Sequence, residues 1–407
     1  MANTFKFGNE NWAVKDGKVL AYNDQNNAFK PLPFTFARSS SATRVDNEGL
    51  IKTTDSGFAR IDFLNNTSGH LLLEPSSTNL FDYSEDFSQW ENIRTTDALS
   101  SINSPSGSAN VYKIIPTTDN NTHRIDKVVT LTDSNTYSLS FFAKKGEYNC
   151  VRAAIGKTSV TGNIVSFNLD TGVKTETGTI ASSSMVEFSN GWFRCSFTAA
   201  ASTADRVVIG LGNDDTYSFA GDGSSGIFLW GAMIEEKAFS TSYISTTGST
   251  VTRAAETCNS AGNSTVFNST EGVLYAEISA LASDSTAKEI TLSDGTTNNR
   301  VIISYNTANK IRINYRKASS NIFDQTKTIT ITESNKVAVK YKLNDFSFFV
   351  NGTKVASSTS GSVMSANTLT QLNFDDGSGS FDFYGKIKNV QIYNTALTDA
   401  ELIELTS

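Results

Sequence analysis

The stretch Tyr137-Ser138-Leu139-Ser140-Phe141-Phe142-Ala143 decides the fold class. Successive side chains of an extended strand point to opposite faces. Tyr137, Leu139, Phe141 and Ala143 therefore share one face and the two serines the other. A helix would space its apolar residues three or four apart, and no window around this stretch does so. Working outward, Arg206-Val207-Val208-Ile209-Gly210 and Ile227-Phe228-Leu229-Trp230 read as buried strands. Asn213-Asp214-Asp215 and Gly221-Asp222-Gly223-Ser224-Ser225-Gly226 supply the turns between them. Downstream, Ile311, Ile313 and Tyr315 alternate with Arg312, Asn314 and Arg316, and Val337, Val339 and Tyr341 alternate with Lys336, Ala338 and Lys340. Asn344-Asp345 and Asn351-Gly352 bracket an apolar run with tight-turn chemistry. One helix start is legible: Thr398 with Glu401 forms a capping box ahead of Leu402, Ile403 and Leu405.

Composition agrees. Charged residues make up 18% of the 407, against roughly 25% in an average globular protein, and Ser, Thr, Asn and Gly take their place. Aromatic residues at 11% are too many for a disordered chain. The expectation is an all-β protein of two antiparallel β-sandwiches, preceded by a small β-rich N-terminal segment. The boundaries read as 1–70 for an anchoring and assembly segment, 71–250 for a first sandwich, 251–266 for a Ser/Thr/Ala-rich linker and 267–407 for a second. Residues 1–70 carry too little apolar material for a core of their own, so they are expected to pack on the next module or on a neighbouring subunit.

The net charge of −7, with Lys and Arg scattered singly, argues against a nucleic-acid groove and an anionic membrane surface. Cys150, Cys195 and Cys258 form neither a disulfide framework nor a zinc set, and Cys195 reads as a small buried hydrophobe. No apolar stretch suits a signal peptide or a membrane span, so the chain is expected to fold in a cytosol.

Two stretches carry resemblances. Val337-Ala338-Val339-Lys340-Tyr341, then Phe348-Phe349-Val350-Asn351-Gly352-Thr353-Lys354-Val355, then the closing run from Phe383 to Thr398 together resemble a laminin-G-like, concanavalin-A-like lectin sandwich. Leu73-Glu74-Pro75-Ser76-Ser77-Thr78-Asn79-Leu80, Gly191-Trp192-Phe193-Arg194, Trp230-Gly231-Ala232-Met233-Ile234-Glu235-Glu236 and Thr252-Arg253-Ala254-Ala255 resemble carbohydrate-binding-like jelly rolls of phage fibre and spike proteins. Upstream, Phe36-Ala37-Arg38-Ser39-Ser40-Ser41-Ala42-Thr43-Arg44-Val45 resembles the segment leading into that module. The resemblance implies a non-enzymatic fibre or decoration protein of a bacteriophage virion, made in the host cytoplasm and released by lysis. Its partners would be other virion proteins, held through the N-terminal segment, and host-surface polysaccharide. It would be a homo-oligomer, the trimer being a common fibre form. A purely structural capsid or tail connector, and a secreted polysaccharide-binding module or hydrolase, remain as alternatives.

Enzyme signatures are sparse. His70 and His123 are the only histidines, and no nucleophile elbow, P-loop or dinucleotide fingerprint occurs. A glycosidase needs two carboxylates about 5–9 Å apart, whereas the strand around Glu277 carries one acid, and the adjacent Glu235 and Glu236 would face opposite sides. Sugar binding needs exposed aromatic faces ringed by hydrogen-bonding groups. Trp90, Tyr148 and Tyr217 lie in loop-like segments beside Gln89, Asn149 and Asp215 and are the candidate glycan residues. Trp192 and Trp230, inside strand runs, are assigned to the core. Asp214, Asp215 and Asp222 sit in Gly/Ser-rich loops and offer oxygen ligands to a structural calcium; turn formation accounts for the same residues.

Overall fold

The computed structural model of the chain describes residues 5–407 except 9, 11, 16, 24–27, 157–161 and 203–204; the first four residues read above lie outside them. The fold is all-β, with every strand pairing antiparallel among the described residues. The helix Asp399–Thr406 starts where the capping box placed it, the Thr398 hydroxyl accepting from the Glu401 amide and the Glu401 carboxylate from the Thr398 amide.

The chain divides into two compact units that are not consecutive in sequence. One comprises Met1–Ser41, Thr54–Pro75 and Ala254–Ser407, the other Ala42–Thr53 and Ser76–Arg253. This differs from a separate N-terminal segment followed by two sandwiches. The strand Phe5–Gly8 pairs along its length with Gly385–Tyr393, near the other end of the chain, and His70–Leu73 pairs with the same strand. The physical reason is the shortage of apolar residues noted above. Phe5, Phe7, Val19, Phe34, Leu71 and Leu73 cannot enclose a core, so they complete the one built by residues beyond 254. The stretch expected as a linker contributes two short strands: Val251–Arg253 pairs with Ser77–Asn79, and Thr257–Asn259 with Ala28–Ala37.

In the first unit a large sheet runs through Gly385–Tyr393, Glu271–Ala280 and Asn335–Lys342. Facing it is a five-stranded sheet ordered Ser320–Thr328, Lys310–Lys317, Arg300–Thr307, Lys288–Ser293 and Gln371–Asn373. The alternating residues read from the sequence fill the space between. Ile290, Leu292, Ile303, Ile313 and Tyr315 meet Leu274, Ile278, Val337, Val339 and Ile392 in one core. Leu402 of the helix covers part of the large sheet's other face, over Tyr275, Ala338 and Phe349.

The second unit has the two-sheet build of a jelly roll. A six-stranded sheet centres on Thr136–Lys144, Ile227–Glu235 and Trp192–Ala200, and a second on Asn121–Val128, Arg206–Gly212 and Cys150–Ile155. Tyr137, Leu139, Phe141 and Ala143 enter the core as expected. The opposite face of that strand is buried too: Ser138 bonds to Ser240 and Ser140 accepts from Arg194. Phe142 packs there against Trp230 and Tyr243. Trp192 and Trp230 are fully buried, and all three cysteines are buried and free.

The residues behind the jelly-roll resemblance are structural. Glu235 accepts from the Ser77 hydroxyl and from the Thr241 amide and hydroxyl. Asn79 donates to the carbonyls of Ala232 and Ile244. In the first unit Arg38, Arg60, Glu74 and Glu256 form one buried ionic cluster. Glu256 Oε1 takes Arg38 Nη1 at 2.7 Å and Arg60 Nε at 2.9 Å, while Oε2 takes Arg60 Nη2 at 2.5 Å and the Glu74 amide at 2.9 Å. Removing one partner of such a cluster leaves an uncompensated buried charge. Glu256→Gln is therefore expected to destabilise the protein by about 3–5 kcal/mol, read as a lowered urea midpoint.

His70 is buried beside Asp62, with Arg60 and Lys386 also acting on it. Burial, then those two cations, lowers its pKa from 6.5 to about 3. The unfolded chain thus binds a proton that the folded chain refuses. Stability should be fully present above pH 6.5 and fall as the pH drops towards 3, by up to about 1.4 kcal/mol per pH unit from this group. Urea titrations across that range should show the slope, and His70→Gln should flatten it.

Candidate functional site

The five-stranded sheet turns one face to the core, and strand alternation puts a polar set on the other. The registers align that set in rows. One row crosses all five strands as Asp324, Asn314, Ile302, Thr291 and Asn373. A second holds Thr326, Arg312, Ser304 and Glu289, and a third holds Arg316, Arg300, Ser293 and Gln371. Adjacent strands lie about 4.8 Å apart, so the row of five spans about 19 Å.

Short side chains form the floor of this face and long ones its rim. Thr291 and Ser304 are 0% exposed and Asn314 1%, yet Thr291 Oγ1, Ser304 Oγ and Asn314 Nδ2 have no hydrogen-bond partner. Arg300 Nε is unpartnered as well. Most buried polar groups are satisfied, and one that is not costs roughly 1–3 kcal/mol. Three such residues lie on adjoining strands.

The acids of the face are engaged. Arg312 holds Asp324 in a two-pronged ion pair at 2.7 and 2.6 Å. Arg300 Nη1 reaches Glu289 Oε2 at 3.4 Å and the Asp376 carbonyl at 2.8 Å. Burial raises the Glu289 pKa, with Arg300 and Arg312 opposing the shift and Asp376 adding to it. The loop 374–384 borders this face. At Gly377, with φ +88°, an added Cβ would stand 2.7 Å from Ser293 Oγ, so the loop backbone lies against the sheet there. The Phe381 carbonyl accepts from the Glu289 amide. Phe381 itself is 56% exposed and holds a left-handed φ of +57°, an uncommon conformation for a bulky residue and one associated with functional sites. An exposed ring beside a hydrogen-bonding floor suits a ligand with one apolar face and several hydroxyls.

The aromatic residues nominated from sequence are placed differently. Trp90 is 4% exposed, packed on Phe81 and Phe87 with its indole N–H donating to the Tyr83 carbonyl. Tyr148 is 8% exposed, edge-on to Phe219. Both belong to the jelly-roll core and turn little of their rings to solvent. Tyr217 is half-buried, with its ring against Arg152.

The three nominated aspartates serve turns. Asp214 and Asp215 have φ of +45° and +62° in the tight connection closed by Asn213 and Thr216. Asp214 is tied to Asn149 through both backbone and side chain, and Asp215 accepts from Cys150 Sγ. Asp222 takes the hydroxyls and amides of Ser225 and Ser224, which hold its carboxyl well below the usual range. Among the described residues, no group of three or more His, Cys, Asp or Glu side chains is placed to hold a metal ion. Sequence reasoning missed the floor of the five-stranded sheet, although the alternation of Ile311, Ile313 and Tyr315 with Arg312, Asn314 and Arg316 was the signal for it.

The unpartnered floor makes a stability prediction. Thr291→Val keeps the shape and removes an unsatisfied hydroxyl, so it should raise stability by about 1 kcal/mol, measured by thermal and urea unfolding.

Comparison with known proteins places a concanavalin-A-like domain in this unit: residues 276–403 match the family model of the concanavalin A-like lectin/glucanases superfamily. No curated protein sequence matches the chain. Among solved structures, the chain is similar to CBM40 of the Ruminococcus gnavus IT-sialidase at 17% identity, over 37% of this chain and 94% of that one, with a TM-score of 0.31. It is also similar to domain 4 of AbnA, a GH43 extracellular arabinanase from Geobacillus stearothermophilus, at 13% identity, over 38% and 73%, TM-score 0.31. Domains LG4-5 of the mouse laminin alpha1 chain align at 8% identity, over 69% and 89%, TM-score 0.25.

Proposed function

We propose that the protein is a non-catalytic glycan-binding protein, and that its C-terminal sandwich binds saccharide on the polar face of the five-stranded sheet. The observation that carries this reading is the exposed Phe381 ring beside the polar rows of that face. Saccharide hydroxyls can donate and accept at once and match such mixed polar rows. Phe381 would stack on the apolar side of a sugar ring at the rim. Arg312 and Arg300 engage Asp324 and Glu289, which supports holding a ligand rather than hydrolysing it.

The biological setting we propose is the bacteriophage virion, as a fibre or decoration protein touching host-surface polysaccharide. The sequence resemblance to phage fibre and spike modules supports it. A homo-oligomer would add avidity to individually weak sites. Mass spectrometry of purified particles should find the chain as a stoichiometric component, and finding it only among secreted proteins would reject this setting.

Binding is tested on an array of bacterial surface polysaccharides with the purified chain. Phe381→Ala should lower affinity about tenfold, as expected for one lost aromatic contact of roughly 1–1.5 kcal/mol, while leaving the melting temperature unchanged because the side chain is exposed. Silence across the array would favour a structural connector, and new reducing ends in the polysaccharide would favour a hydrolase.

A further inference from the structure

The jelly-roll unit carries a second constellation, on the side of its Cys150–Ile155 sheet that faces away from the core. Val151 and Ala153 enter the core, so Arg152 points the other way. Its guanidinium carbon sits 4.2 Å from the centre of the Tyr217 ring. Among the described residues Arg152 makes no ion pair or hydrogen bond, and its Nε is shut from solvent without an acceptor. Burial lowers its pKa, with Tyr217 opposing the shift. The Tyr217 hydroxyl is also buried and unpartnered. Burial raises its pKa to about 12, with the neighbouring Ser166 hydroxyl opposing the shift.

Register fixes what surrounds them. Arg152 stands opposite Ser166 on one side and Gly210 on the other, and Gly210 stands opposite Arg124. Gly210 therefore brings no side chain between the two arginines, and its own backbone is buried. The two arginines differ in their partners. Arg124 already holds Asp126 at 3.1 Å, and Asp126 also pairs with Arg206 at 3.5 Å. Asp215, the carboxylate near Tyr217, accepts from Cys150. Arg152 is left as an uncompensated, partly desolvated cation next to an unsatisfied phenol.

Desolvating a guanidinium without a partner is costly, and its flat fork fits a planar carboxylate in two-pronged geometry. From this we infer that the outer face around Arg152, Tyr217, Ser166 and Gly210 is a binding site for a carboxylate-bearing saccharide, of the uronic-acid class. The carboxylate meets Arg152 and the Tyr217 hydroxyl at the partly exposed edge of this face. Ser166 offers a hydroxyl to the ring. This site lies in a different unit from the sheet face proposed above and stands or falls apart from it.

The test is calorimetric titration of the full chain with oligogalacturonate, with the same oligomer methyl-esterified, and with a glutamate-rich peptide of matched charge. We expect the acid form to bind at least about tenfold more tightly than the ester, the gain of one charge-assisted contact, with the preference weakening as salt rises. Arg152→Gln should abolish the preference, Arg152→Lys should keep part of it, and Tyr217→Phe should reduce it several-fold. Equal affinity for acid and ester in the unaltered protein overturns the proposal, and needs no variant to fold. Binding of the peptide as tight as that of the saccharide also overturns it, in favour of an acidic protein partner.

Discussion

The first unit depends on one carboxylate. Glu256 is shared between Arg38 and Arg60, and Glu74 closes on Arg60 at 2.8 Å. These four residues come from three separate stretches of sequence, with all of 76–253 lying between the last two. A buried charge is tolerable only when its partners are in place, so the cluster forms when all three stretches have arrived together. That requirement specifies how a discontinuous unit closes more sharply than apolar burial could. Hydrophobic contacts are non-directional and accept many registers.

The same cluster explains how a domain-sized insertion is accommodated. The Glu256 amide donates to the Glu74 carbonyl, so the chain leaves and re-enters the first unit side by side. Within the second unit, Val251–Arg253 pairs with Ser77–Asn79, bringing its two ends together. Close termini are what allow one compact unit to sit inside the sequence of another. The polar side chains of Glu74, Asn79 and Glu235 are engaged in holding the chain at these points.

Buried polar groups here are of two kinds. Glu235 and Asn79 are buried and fully engaged. Thr291, Ser304, Asn314, Arg152 and Tyr217 have buried polar atoms with no partner. The first kind adds specificity to the fold, whereas the second subtracts from stability.

Strand alternation, a local property, was enough to establish from sequence the all-β class, the inward faces around Leu139, Ile313 and Val339, and the capped helix at Thr398. It also contained the outward set Arg312, Asn314 and Arg316, because the face opposite a core residue follows from the same period of two. Three things were decided only in three dimensions. Pairing of Phe5–Gly8 with Gly385–Tyr393 joins residues too distant for any local pattern to link. Trp90 and Tyr148 turned inward, which adjacency to Gln89 or Asn149 cannot reveal. The unpartnered state of Thr291 or Arg152 depends on what each strand's neighbours bring across the sheet. Local sequence sets which way a side chain points; only the assembled register sets what it meets there.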